Sequence, residues 1–344
     1  MKARLIPVEE AVGMVIPHDL TEIRPGEFKG RAFKKGHVIR EEDIPRLKRM
    51  GKDHIYALEL EEGELHEDEA ALRLARAVSG PGITYGEEIK EGKVTFYAAH
   101  DGLLKVDTER LYQLNLLGEI ILSTKHTDFF VRKGEAVAAG RAIPLVVKED
   151  LLEEVERLTT NGGILSVKEP RLKRAGLVIT GNEVYYGRVE DAFVPALTPK
   201  LKAYGLEVAG VRFCPDDKDF IARTLKETLA SRVDLVLVTG GMSVDPDDVT
   251  RHAIASLGVE DLVYGSPVLP GAMFLVAYCG EVPILGIPAC GMYFRITVLD
   301  LVLPRLICGE RITRADIARM GHGGFCFGCK ECRFPVCPFG RGAS

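Results

Sequence analysis

The stretch from Asp234 to Thr250 limits this chain's fold more than any other. It reads Asp234-Leu235-Val236-Leu237-Val238-Thr239-Gly240-Gly241-Met242-Ser243-Val244-Asp245-Pro246-Asp247-Asp248-Val249-Thr250. An unbroken apolar run of β-branched and leucine residues, rather than an alternating one, predicts a strand covered on both faces, as in a parallel sheet. The run stops at a Thr-Gly-Gly turn, and a helical pattern begins near Thr250. Strand, glycine turn and helix in that order place the turn at the carboxyl edge of an open α/β sheet, where such folds gather ligands.

The flanking sequence repeats this grammar. Strands are predicted at Ala175–Ile179, Glu207–Phe213 and Val282–Ile287. Helices are predicted over Pro195–Tyr204, through Ile221, Leu225 and Leu229, over Thr250–Leu257 and over Phe294–Ile307. The expected fold class is α/β, a three-layer domain over residues 172–312 with helices on both faces of the sheet.

Residues 1–80 read as a small mixed α+β domain and 81–148 as a mostly-β domain with strands at Val94–Ala98, Leu103–Val106, Glu119–Ser123, Phe129–Val131 and Ala142–Val147. Residues 149–171 form a connecting amphipathic helix and linker, and 313–344 a cysteine-rich tail. With 344 residues, 46% hydrophobic and 28% charged, the chain has material for more than one core. A net charge of −5 gives no reason to expect a nucleic-acid partner. No run approaches the ~18–20 apolar residues of a membrane span, and no signal-peptide core follows Met1, so a cytoplasmic location is expected.

The strand-end loops carry the chemistry. Thr180-Gly181-Asn182-Glu183, Pro215-Asp216-Asp217, Thr239-Gly240-Gly241-Met242-Ser243, Pro270-Gly271 and Pro288-Ala289-Cys290-Gly291 should meet on one sheet edge. Glycine turns and helix starts attract phosphate, but the acids Glu183, Asp216, Asp217, Asp245, Asp247 and Asp248 repel it unless a divalent cation intervenes. Hard oxygen donors from several loops suit Mg²⁺ bridged to a phosphate. Helix capping also explains single members of the set: Asp216 or Asp217 precedes a helix, and Asp245-Pro246 fits an N-cap followed by proline. Neither G-x-G-x-x-G nor G-x-x-x-x-G-K-[ST] follows any strand, which argues against a common nucleotide site.

The ordered set Thr180-Gly181-Asn182-Glu183, Asp216, Thr239-Gly240-Gly241-x-Ser243, Asp248-Val249-Thr250 and Pro270-Gly271 resembles the molybdenum-cofactor-biosynthesis domain. That domain is shared by molybdopterin adenylyltransferases and molybdopterin molybdenumtransferases. The resemblance covers about residues 172–310. It implies that molybdopterin, or its adenylylated form, binds at the sheet edge with Mg²⁺. It implies catalytic roles for Asp248 and Asp216, and cofactor binding by Thr180, Gly181, Glu183, Thr239, Gly240, Gly241, Ser243, Pro270, Gly271 and Pro288. The family's glycine in the acidic loop is Asp245 here, and its Pro-Gly-Lys-Pro loop reads Pro270-Gly271-Ala272-Met273. An Asp-Asn-Ser-Ala-Met-Asp-Gly segment typical of the transferase is absent from residues 1–170.

Cys326, Cys329, Cys332 and Cys337 form C-x2-C-x2-C-x4-C-P. Thiolates at this spacing suit a [4Fe-4S] cluster or a Zn²⁺ ion, with His322 a nearby surface residue rather than a further ligand. Three functions follow from the resemblance. The first is molybdate insertion into adenylyl-molybdopterin with release of AMP. The second is a non-catalytic molybdopterin carrier, sensor or insertion partner for a molybdoenzyme apoprotein. The third is molybdopterin adenylylation. The expected partners are a pterin substrate and molybdate, without nucleic acid or membrane, and a homo-oligomer is compatible with the sequence.

Overall fold

A computed structural model describes residues 3–24, 28–58, 60–86, 89, 91–243 and 249–342. The chain divides into two compact units. One comprises residues 1–100, 105–125 and 132–167, the other 101–104, 126–131 and 168–344.

In the first unit, strands Ala3–Pro7 and His54–Leu58 pair antiparallel, as do Leu20–Arg24 and Phe28–Phe33. Val8, Ile16, Leu20, Phe33, Ile39, Leu47 and Ile55 fill a small core around them. A four-stranded sheet is built in the order 83–85, 93–98, 136–142 and 120–124. Helix Glu67–Val78 lies on its strand Ala136–Ala142, close enough that a side chain at Gly140 would meet Leu74 Cδ2 at 2.8 Å. The strand expected at Ala142–Val147 is instead two, Ala136–Ala142 and Val146–Lys148. Small residues hide the first of these, because Ala136-Val137-Ala138-Ala139-Gly140 shows no apolar-polar alternation.

The second unit contains a six-stranded α/β domain. Its elements are β1 (Arg174–Thr180), α1 (Asn182–Tyr185), α2 (Phe193–Ala203), β2 (Glu207–Cys214), α3 (Lys218–Ala230), β3 (Leu235–Thr239), α4 (Thr250–Ala255), β4 (Glu260–Tyr264), β5 (Leu275–Cys279), β6 (Val282–Ile287), α5 (Cys290–Tyr293), α6 (Val298–Ile307) and α7 (Arg314–Arg319). The sheet order is β2-β1-β3-β6-β5-β4. The strands β2, β1, β3 and β6 are parallel, while β5 is antiparallel to both β6 and β4. Ile179 pairs with Thr239 and Thr239 with Ile287, which brings three strand ends level.

All five residues of β3 are buried, because both faces are covered. Leu235 and Leu237 join α2 and α6 on one side, with Leu197, Leu201, Val302 and Leu303. Val236 and Val238 join α3 and α4 on the other, with Ile221, Leu225, Ala253 and Ile254. This double covering is the reason for the continuous apolar run.

The long helix expected at Phe294–Ile307 begins at Val298, and residues 290–293 form a separate turn. Thr297 caps the helix: its hydroxyl accepts from Leu299 N, while Asp300 Oδ2 accepts from Thr297 N at 2.7 Å. Lys200 Nζ reaches across from α2 to both Asp300 oxygens at 2.7 Å and to Arg295 O. That part-buried pair fixes where α6 starts and holds the loop before it. Removing Asp300 leaves Lys200 part-buried without its partner and takes away the Thr297 cap, so Asp300→Ala should cost about 1–3 kcal/mol. Chemical denaturation followed by circular dichroism would check this, and a variant as stable as the parent would contradict it.

Candidate functional site

The chain leaves β1, forms β2 on one side, and then crosses β1 to form β3 on the other. The sheet's connectivity therefore reverses between the carboxyl ends of β1 and β3, and that crevice is where open α/β sheets bind ligands. Thr180-Gly181 and Thr239-Gly240-Gly241 stand on its two sides.

A small set of contacts builds the crevice. Thr180 is 3% exposed, and its hydroxyl donates to Thr239 O at 2.8 Å. The same oxygen lies 3.1 Å from the Thr250 hydroxyl at the start of α4. Gly240 and Gly241 have φ of +80° and +56°. A Cβ on Gly240 would strike the Thr180 carbonyl, and one on Gly241 would strike the Thr250 hydroxyl. Two successive left-handed residues in contact with neighbours need glycine at both positions. Thr239 is fully buried, and its own hydroxyl has no hydrogen-bond partner among the described residues.

The neighbouring loops join the same edge. Gly181 N donates to Cys214 O, which ties the end of β1 to the end of β2. Asp216 and Asn182 bond reciprocally: Asn182 N donates to Asp216 Oδ2 at 2.9 Å, and Asp216 N to Asn182 Oδ1 at 3.2 Å. Asp217 is a helix cap, its Oδ1 accepting from Phe220 N at 2.7 Å. Glu183 is exposed on α1, and Ser243 is half-buried after the glycine turn. Pro270 O accepts from Val298 N at the start of α6, and Gly271 packs so tightly that a Cβ would lie 2.5 Å from Val298 Cγ1. Pro288 directly follows β6 and is half-buried. Asp245, Asp247 and Asp248 lie outside the described residues.

Three contributors carry no separate sequence signal. Thr250 acts through its contact with the Thr180 hydroxyl, Asn182 through its reciprocal pair with Asp216, and Tyr264 by donating to Met242 O at 2.7 Å. Thr250 stands in the motif, but only the fold shows its hydroxyl against Gly241. Burial pushes the thiols of Cys214 and Cys290 up, so neither is a thiolate at neutral pH.

The tail cysteines behave differently from the expectation. All eight cysteines are free, and among the described residues no three His, Cys, Asp or Glu side chains are placed to hold a metal ion. That finding covers the tail, and it also means that the described acids alone do not assemble a Mg²⁺ site. His322 is occupied elsewhere, its Nδ1 lying 2.8 Å from Gly342 O. Among the described residues no helix is long and apolar enough to cross a membrane.

Comparison with known proteins gives this α/β unit a class. Residues 176–307 match the model of a family described as a probable molybdopterin binding domain, and residues 5–59 match a domain of unknown function. A CinA-like protein of Mycobacterium avium (strain 104) is 35% identical over 99 residues, which are 29% of this chain and 23% of that protein. A CinA-like protein of Mycobacterium tuberculosis (strain ATCC 25177 / H37Ra) is 37% identical over 90 residues, 26% of this chain and 21% of that protein. The matched segment thus spans about a quarter of the length of these curated relatives. Among solved structures, the molybdopterin biosynthesis enzyme MoaB of Thermus thermophilus aligns with a TM-score of 0.35 and 25% identity, covering 40% of this chain and 98% of that one. The segment 176–307 carries the probable molybdopterin binding domain.

The close approach of Gly241 to Thr250 is testable against a glycine with similar φ and open surroundings. Gly258 has φ +71°, and a Cβ there would meet nothing within 4 Å. Gly241→Ala should destabilise the protein by about 1–3 kcal/mol more than Gly258→Ala in urea unfolding. Equal losses would show that the hydroxyl contact imposes nothing.

Proposed function

We propose that the crevice between the ends of β1 and β3 binds molybdopterin or its adenylylated form, and that the chain acts in molybdenum cofactor biosynthesis. The observation that carries this reading is the Thr239 hydroxyl. It is wholly buried at the point where the sheet's connectivity reverses, and no described residue satisfies it. A buried hydroxyl without a partner costs about 1–3 kcal/mol, and a cost carried at the carboxyl edge of the sheet marks a position shaped by function as well as packing. The family match over residues 176–307 supports a pterin as that ligand.

In this reading, Gly181, Gly240, Gly241 and Ser243 present backbone and hydroxyl groups to the pterin phosphate. Thr180 holds the two strand ends at the spacing they need. Pro270, Gly271 and Pro288 close the edge on the side of α6. Asp216, Glu183 and Asp248 are the residues that would hold Mg²⁺, which neutralises phosphate oxygens when bound. Asp216 keeps Asn182 in place and stands at the end of the neighbouring strand, so its carboxylate is set before a ligand arrives.

The reaction proposed is molybdate insertion at the dithiolene with release of AMP, and Asp248 and Asp216 orient the water and phosphate. A second reading, a carrier that holds the pterin without turnover, draws on one feature of the edge. Ala272 follows Pro270-Gly271, so that loop offers no cation to a phosphate leaving group. Given adenylyl-molybdopterin and molybdate, the purified protein should release AMP, and Asp248→Asn should slow release by about 100-fold or more. Equal rates from the two proteins would remove Asp248 from catalysis. Tight binding with no AMP from the parent would select the carrier.

A further inference from the structure

Beside the crevice, the segments after β1 and β2 carry a row of aromatic and guanidinium groups that no part of the pterin site uses. The Tyr185 and Tyr186 rings meet edge to face, 5.2 Å between centroids and 81° apart in plane. Tyr185 meets Phe220 in the same way, at 5.7 Å and 71°. Arg188 Cζ lies 5.4 Å from the centre of the Tyr186 ring, and Arg223 Cζ lies 4.8 Å from that of Phe220. Guanidinium, three rings and guanidinium thus follow one another in unbroken contact.

Local structure sets this row in place. Tyr185 ends α1, and Tyr186 N closes its last turn on Asn182 O. Asn182 is locked to Asp216 just beyond β2, which holds the two loops together. Phe220 and Arg223 are three apart on α3 and share a face, and Asp217 fixes that helix's first turn by accepting from Phe220 N. Tyr185 and Tyr186 are 39% and 61% exposed, and edge-to-face pairing leaves ring faces open to solvent. Packing alone gives little reason for contiguous exposed rings. Both guanidiniums are exposed, and among the described residues neither has a carboxylate partner, whereas Arg212 on the adjoining β2 pairs with Glu227 at 3.3 Å.

We propose that this row binds a free purine nucleotide, its base stacked on Tyr185 and Tyr186 and its phosphate paired with Arg188. Exposed tyrosine rings take the flat face of a base, and an unpaired guanidinium takes a phosphate. A nucleotide carries both groups in one molecule, and a two-ring base spans two neighbouring tyrosines. Such a site needs no glycine loop, since rings and a guanidinium do the recognising. With a net charge of −5, the chain suits a single nucleotide rather than a polynucleotide, whose binding rests on many phosphate contacts. The site needs no pterin in the crevice, so it stands or falls separately from that reading.

Isothermal titration calorimetry of the full chain with AMP, and separately with adenosine, tests this. The parent should bind both, and AMP more tightly. Tyr186→Ala should weaken both by about tenfold or more. Arg188→Gln should erase the preference for AMP and leave adenosine binding near the parent's. Tyr112→Ala, at an exposed tyrosine on helix Thr108–Leu116 of the first unit, should change neither. A parent that binds neither ligand at millimolar concentration overturns the proposal. So does AMP binding that both Tyr186→Ala and Arg188→Gln leave intact, because the nucleotide then sits in the crevice or elsewhere.

Discussion

The contact on which the α/β unit's functional edge depends is the one from the Thr180 hydroxyl to the Thr239 carbonyl. It crosses the line where the sheet's connectivity reverses, a place where parallel strand ends would otherwise splay. A hydrogen bond of this kind contributes only about 0.5–1.5 kcal/mol net. Its structural reach is larger, because Thr250 meets the same Thr180 hydroxyl, Gly240 packs against Thr180, and Gly241 packs against Thr250. Gly240 and Gly241 can be left-handed and close only because they lack a Cβ. The turn, the helix that follows and the width of the crevice are thus set together.

Much of this is legible in the residues. The apolar run Leu235–Thr239 specifies a doubly covered strand, and Thr-Gly-Gly specifies where it stops. The positions of the parallel strands follow from the same grammar. What cannot be read is anything that depends on a partner distant in sequence. The start of α6 is set by Lys200, a hundred positions before Asp300. Strand Ala136–Ala142 escapes because small residues give no period to detect. The antiparallel strand β4 escapes as well, since Glu260-Asp261-Leu262 looks like surface and is exposed.

The acids show most clearly where sequence reading stops. Asp216 and Asp217 are adjacent and equally suited to capping. In the fold they separate: Asp217 caps α3, while Asp216 reaches back to Asn182 and secures the turn after β1. Only tertiary pairing distinguishes them. The same limit applies to the four tail cysteines, whose spacing suggests a metal while their described positions place no three of them together.

The central claim is that the pterin phosphate lies across the ends of β1 and β3. Hydrogen–deuterium exchange of the full chain, with and without molybdopterin, tests it most directly. The account predicts slowed exchange at the backbone amides of Gly181–Glu183, Gly240–Ser243 and Gly271, with little change over residues 1–100. Protection confined to other parts of the chain, with these amides unchanged, would contradict it.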